Sequence, residues 1–240
     1  MNLYSVDHYS KAAISAFVSA VTILALLFAL FLFAEPTVSR AQADVSDEFY
    51  IRQLITDETS FIVQPNDVDM VGSINGVTGG QATGTTDFVV RSNNVAGYTV
   101  EIDFFDNVGN HAMRGDVTGG EEIRDYDGDV AGQPSLDFTA STAAQFAYTV
   151  TSDTPGDTAQ SFLDNGTACN ISSGAGGSQT DDTCWKAPDT SPFEIVNRDS
   201  AASNGATSTL TFSVVVPSGA DPVPQAETYT ATATLSVFTQ

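Results

Sequence analysis

Histidine is almost missing from this chain: the 240 residues include two, His8 and His111. A Ser-His-Asp or Cys-His arrangement beyond the first residues would have to use His111, in the loop-like stretch NVGNHAMRGD, and no G-x-S-x-G accompanies it. No H-E-x-x-H and no paired Cys/His set is present to hold zinc, and no G-x-x-x-x-G-K is present to cradle phosphate. With 30 Asp and Glu in the chain, close carboxylate pairs are unavoidable, so they carry no diagnostic weight for glycoside hydrolysis. The sequence reads as that of a protein that is not an enzyme.

Basic residues are scarce as well. Eight Lys and Arg stand against the 30 acids, for a formal charge of −22. Nucleic acid needs cationic contacts to its phosphates, so no nucleic-acid partner is expected. Cysteine is limited to Cys169 and Cys184, which flank the polar, glycine-rich NISSGAGGSQTDDT. Their spacing is not C-x-x-C and no histidine is near, so the pair reads as a disulfide formed in an oxidising compartment. Closing a loop of this length stabilises by about 3 kcal/mol in the chain-entropy picture.

The N-terminus carries an export pattern. Lys11 precedes an apolar run over residues 12–34, and EPTVSRAQA ends in an A-x-A at Ala41 and Ala43. Residues 1–43 therefore read as a signal peptide cleaved after Ala43, or as a retained membrane anchor, because residues 12–34 as a helix would span ~30 Å of hydrocarbon. In either case the folded part, residues 44–240, lies outside the cell. Removing Asp7 and Glu35 together with Lys11 and Arg40 leaves its charge at −22. That charge suits divalent cations, high salt or a cationic surface, or serves simply to keep an abundant exported protein soluble.

Beyond residue 44, apolar residues recur with period two between turn signals, and no stretch sustains a helical period. The expected fold is all-β: a two-sheet antiparallel sandwich or jelly roll in one domain, preceded by one hydrophobic helix. In TDFVVRS, Phe88 and Val90 face inward; in YTVEIDFF, Tyr98, Val100, Ile102 and Phe104 do so. The turn SNNVAG joins the two as a hairpin. Phe146, Tyr148 and Val150 continue the pattern, as do Leu210, Phe212, Val214 and Val216. The last strand, Tyr229 to Val237, is expected to pair with Leu210–Val216 across a proline-rich loop. Residues 106–133 read as a long acidic surface excursion.

Four short signals bear on function. RDYDGDV alternates Asp125, Asp127 and Asp129 around Gly128, a spacing at which carboxylates of a tight loop can converge on calcium with help from Glu121 or Glu122, or form an acidic solvated turn; the three aspartates are the candidate metal ligands. RGD at Arg114–Asp116 is too short to identify an adhesion site. NGT at Asn165 and NIS at Asn170 fit the N-glycosylation pattern. Lys186 is the single lysine beyond Lys11, and an amide cross-link through it would need the side chain buried among apolar neighbours. Adjacent Trp185 reads as cover for the disulfide.

The N-terminal segment DVSDEFYIRQLI has apolar residues on both phases. Phe49, Tyr50, Ile51 and Leu54 are the candidate assembly residues, completing the protein's own sandwich or adding to the open edge of a neighbouring subunit. SNNVAGYTVEI together with ETYTATATLSV resembles secreted bacterial and archaeal surface β-sandwich proteins, in which an N-N-x-x-G-Y-T turn and strand precede a final proline loop and threonine-rich strand. The resemblance implies a pilus-like, matrix-fibre or adhesion module, although neither a cell-wall sorting motif nor a Trp-x-Leu signature is present. The expected function is an exported cell-surface structural or adhesive protein whose partners are itself or other surface proteins, touching membrane only through residues 12–34. The alternative is a secreted cation- or carbohydrate-binding module.

Overall fold

The computed structural model describes residues 6–33, 50–105, 111–118, 120–129, 131–169 and 184–240. The chain divides into two compact units, Met1–Gln53 and Leu54–Gln240. The first holds one helix, α1, Val6–Phe33. From Ala13 to Leu32 its mean hydropathy is 2.5, long and apolar enough to cross a membrane, and its position near the N-terminus fits a signal peptide equally. The periodicity expectation holds: among the described residues the second unit has no α-helix.

That unit is mainly β. Its strands are β1 Thr59–Val63, β2 Val71–Asn75, β3 Gly79–Ser92, β4 Tyr98–Phe104, β5 Met113–Gly115, β6 Glu122–Asp125, β7 Ser135–Leu136, β8 Gln145–Ser152, β9 Cys184–Trp185, β10 Phe193–Arg198, β11 Ala202–Val216, β12 Tyr229–Thr230 and β13 Ala233–Thr239. An eight-stranded sheet runs β1-β3-β11-β8-β6-β5-β12, with β2 also paired to β3. A three-stranded sheet runs β10-β4-β13, and β7 pairs with β9.

Alternation explains which side chains meet. Successive residues of a strand point to opposite faces. Phe88 and Val90 of β3, Val100 and Ile102 of β4, Val150 of β8 and Leu210 of β11 are all at most 2% exposed. They belong to one core shared by the eight- and three-stranded sheets. Phe104 from β4 lies 5.2 Å from Tyr148 and 6.1 Å from Phe146, ring centre to ring centre, which carries the contact from sheet to sheet. Burying each such side chain is worth about 1.5–3 kcal/mol.

Two expected pairings do not form. β3 and β4 are no hairpin: β3 pairs with β1, β2 and β11, whereas β4 pairs with β10 and β13. The link Asn93–Gly97 instead carries the chain from one sheet to the other, so that Val90 and Val100, each 0% exposed, enter the core from different layers. A hairpin would have placed both on one sheet and left the second without its central strand. The C-terminal strand likewise pairs with β4, from Ala233↔Phe104 to Thr239↔Tyr98, and not with β11. β11 has no free edge to offer, because β3 and β8 occupy both. The run that reads as one strand from Tyr229 to Val237 is split, its first residues pairing with β5 as β12.

The other departures are local. Residues 50–58 form no strand, and the first pairing begins at Thr59↔Ser92. The acidic excursion holds β5 and β6, which extend the large sheet beyond β8 and bury Met113 and Ile123. These strands are too short for period two to reveal.

The turn after β3 depends on its glycine. Asn94 accepts the Ala96 amide on Oδ1 at 3.0 Å, an Asx turn, and its Nδ2 donates to the Gln240 carbonyl at 2.7 Å. The Gln240 amide donates to the Gly97 carbonyl at 3.3 Å, so the same turn clamps the end of β13. Gly97 has φ +96°, and a Cβ there would lie 1.8 Å from the Arg198 carbonyl oxygen. The expected outcome of Gly97→Ala is a loss of at least about 1–3 kcal/mol from the backbone conformation alone, before the clash is counted. Urea denaturation of both chains measures it; an unchanged midpoint would show that the turn relaxes freely.

Candidate functional site

The calcium candidates occupy the segment where β6 ends. Asp125 is the last residue of β6, and its Oδ1 accepts the Ala112 amide at 3.0 Å. Its own amide donates to His111 Nδ1 at 3.1 Å, so a neutral His111 carries its proton on Nε2, the nitrogen 3.6 Å from Glu122 Oε1. Asp127 is exposed. Asp129 turns the other way, where Oδ2 receives the Lys186 ammonium at 2.7 Å and Oδ1 accepts the Ala187 amide at 3.1 Å. Among the described residues no three His, Cys, Asp or Glu side chains gather into a set that could hold a metal ion. Each of the three carboxylates thus has its own surroundings.

Lys186 is the site residue that hydropathy hides. Its backbone exchanges both hydrogen bonds with Tyr148, at 3.0 and 2.8 Å, which puts the two side chains on one face. Period two then sorts the neighbours: Cys184 joins the main core, while Trp185 points the other way to pack with Tyr126, Phe138 and Ala147. Lys186 returns to the core face, 2% exposed, with its ammonium 5.1 Å from the centre of the Phe193 ring. Burial pushes the Asp129 carboxyl above the usual carboxylate range, against the pull of Lys186 and the Ala187 amide. Burial also raises the Tyr148 hydroxyl well above its ordinary value, and the negative charges of Asp129 and Asp189 add to that.

The cysteines are bridged as expected, with Cα atoms 5.9 Å apart. Asn165 is exposed, and its Oδ1 accepts the amides of Thr167 and Ala168 and the Thr167 hydroxyl; Asn170 lies outside the described residues. Arg114–Asp116 is no loop tip. It lies along β5 with β6 on one side and β12 on the other, and the Asp116 amide donates to the Thr228 carbonyl at 2.9 Å.

Of the assembly candidates, Tyr50, Ile51 and Leu54 are exposed by 76%, 88% and 81%, and Phe49 lies outside the described residues. Ile55, which follows them, is 78% exposed. Across the second unit runs an open cleft of about 930 Å³, lined by Met70, Phe146, Phe212 and Val214 on one side and by Ala233 and Leu235 of β13 on the other. β13 is the end strand of its sheet. Sequence reasoning missed the cleft, because the cleft arises from pairings that alternation does not specify.

Comparison with protein-family models, curated proteins and solved structures gives no match for this chain.

Glu227 ties the end of β5 to the chain that leads into β12. Its Oε2 accepts the Val117 and Thr118 amides at 2.7 and 2.9 Å, and Gly115 leaves the room, since a Cβ there would lie 2.6 Å from the carboxyl carbon. The Thr118 and Val117 amides hold the carboxyl below its ordinary pKa of 4.5. Stability from a depressed carboxylate is present above that value and is lost as pH falls through the folded one. Glu227→Gln is therefore expected to melt at a lower temperature than the native chain at pH 7, with the gap closing on acidification below pH 4.5. Thermal melts of both proteins across that range measure it, and a gap independent of pH would contradict the assignment.

Proposed function

We propose that this chain is an exported cell-surface structural or adhesive protein, built as a two-sheet sandwich that is antiparallel except where β6 runs parallel to β8, and that its subunits assemble by strand addition. The observation that carries the reading is the pairing of two exposed features. Tyr50, Ile51, Leu54 and Ile55 present apolar side chains ahead of the first strand, and β13 is an end strand bordering the open cleft, whose lining joins apolar side chains such as Phe212 and Leu235 to the acids Asp67, Asp69 and Glu227. An exposed apolar segment and an open sheet edge are each costly in water, and each satisfies the other. In strand addition the main chain supplies the hydrogen bonds, while alternate side chains of the added segment fill pockets. The apolar helix and the disulfide support export.

Electron microscopy and light scattering of the full chain, and of the chain lacking residues 44–55, test this. The expected result is regular oligomers or filaments that disappear on deletion while the melting temperature of the remaining β unit is kept. A native chain that stays monomeric, or oligomers that survive the deletion, would overturn the reading.

A further inference from the structure

Lys186 and Asp129 form an unusual contact in a chain so poor in cations. The ammonium and the carboxylate meet at 2.7 Å, with side chains 3% and 12% exposed. One aromatic ring lies beside the amine and others border it: Phe193 is 5.1 Å away, Tyr148 is the cross-strand neighbour of Lys186, and Phe162 packs 6.0 Å from Tyr148 and 5.9 Å from Phe193; the amine also donates to the Ala187 carbonyl at 3.2 Å. Exposed, an ion pair of this kind would be an ordinary surface contact; here both groups have given up most of their water.

We propose that Lys186 and Asp129 condense into an intramolecular amide, an isopeptide bond between Nζ and Cγ. Three features of the site favour that step. The Lys186 Nζ is held 2.7 Å from Asp129 Oδ2, against the carboxyl that it attacks. The carboxyl carbon accepts attack only in its neutral acid form, and burial favours that form for Asp129. The third feature is the Ala187 amide, which donates to Oδ1 at 3.1 Å. Oδ1 is the oxygen that remains as the carbonyl, so this N–H stabilises the negative charge developing on it.

The step balances within the pair. A proton passes from the ammonium to Oδ2, Nζ attacks Cγ, and the Nζ–Cγ bond forms as the Cγ–Oδ2 bond breaks. Oδ2 leaves as water, carrying two of the three ammonium protons, and one stays on the amide nitrogen. No electrons are exchanged with any other species. Holding the reacting groups in contact replaces a bimolecular encounter, and the low water content of the site opposes the reverse hydrolysis. The product would fasten the chain after β6 to the chain after β9, two residues from the disulfide at Cys184.

Peptide mapping of the full chain by mass spectrometry decides the matter, and it does not depend on whether the leader has been removed. After reduction and alkylation, trypsin is expected to leave Lys186 uncleaved and to release residues 125–198 as one species lighter by one water. Chymotrypsin should then give a branched peptide joining the segments that contain Asp129 and Lys186. In Lys186→Arg, which keeps the ion pair but offers a guanidinium in place of an amine, the water should be retained and that position cleaved. Asp129→Ala should likewise retain the water. Native peptides 125–186 and 187–198 at full mass would overturn the proposal and leave a buried ion pair. A branched peptide persisting in Lys186→Arg would overturn it as well, by placing the bond elsewhere. Because the native protein alone gives the first answer, a variant that fails to fold does not obscure it.

Discussion

The pairing of β11 with β3 is the constraint on which the second unit depends. It keeps an unbroken register from Ala206↔Val90 to Val216↔Gly80, and β11 holds β8 along its other edge from Ser208↔Ser152 to Val215↔Gln145. A slip of one residue in that ladder would exchange every inward side chain for an outward one, moving Leu210, Val214 and Val216 out of the core together. With both edges of β11 occupied, no later strand can join it. The chain after the proline-rich loop must therefore find another partner, and the free edge of β4 is that partner. The small sheet is thus a consequence of the large one: β4 is carried across by the Asn93–Gly97 turn, and β13 and β10 then complete it on either side.

Much of this was legible in the sequence as faces and little of it as partners. Period two states which side chains share a side of a strand, and Phe88, Val90, Tyr98, Val100, Ile102, Phe104, Phe146, Tyr148, Val150 and Leu210 are all buried as it implies. It does not state which strand lies beside which. The Asn-Asn-Val-Ala-Gly turn shows the difficulty, since its Asx turn and its left-handed glycine serve a hairpin and a sheet-to-sheet crossing equally well. What distinguishes them is whether the core needs Val90 and Val100 on one layer or on two. The split of the last strand between β5 and β4 left no mark either, because the alternation runs on without a break through Ala231 and Thr232.

The aspartates show the same limit at the scale of a site. Asp125, Asp127 and Asp129 share a phase in the sequence, but phase has meaning only while the chain stays extended, and β6 ends at Asp125. Beyond that point the carboxylates part, one toward His111 and Ala112 and one toward Lys186 and Ala187. Lys186 was harder to see, because a lone charged residue is read as exposed. The signal was its position two residues after a bridged cysteine, which places it on the core face of an extended segment.

The distribution of charge limits how such a surface can meet another copy of itself. Of the few cations past α1, Lys186 and Arg198 are turned inward onto Asp129 and Asp157. Each pair is neutral, so the outside keeps the whole excess of acids, and like charges on two such surfaces repel unless salt screens them over a Debye length of about 8 Å at physiological ionic strength. Apolar burial carries no such penalty, and residues 50–55 hold Tyr50, Ile51, Leu54 and Ile55 exposed with Arg52 as their one charged side chain. In the assembly proposed above, the acidic coat would suppress indiscriminate contact while the uncharged strand edge of β13 would leave one route open.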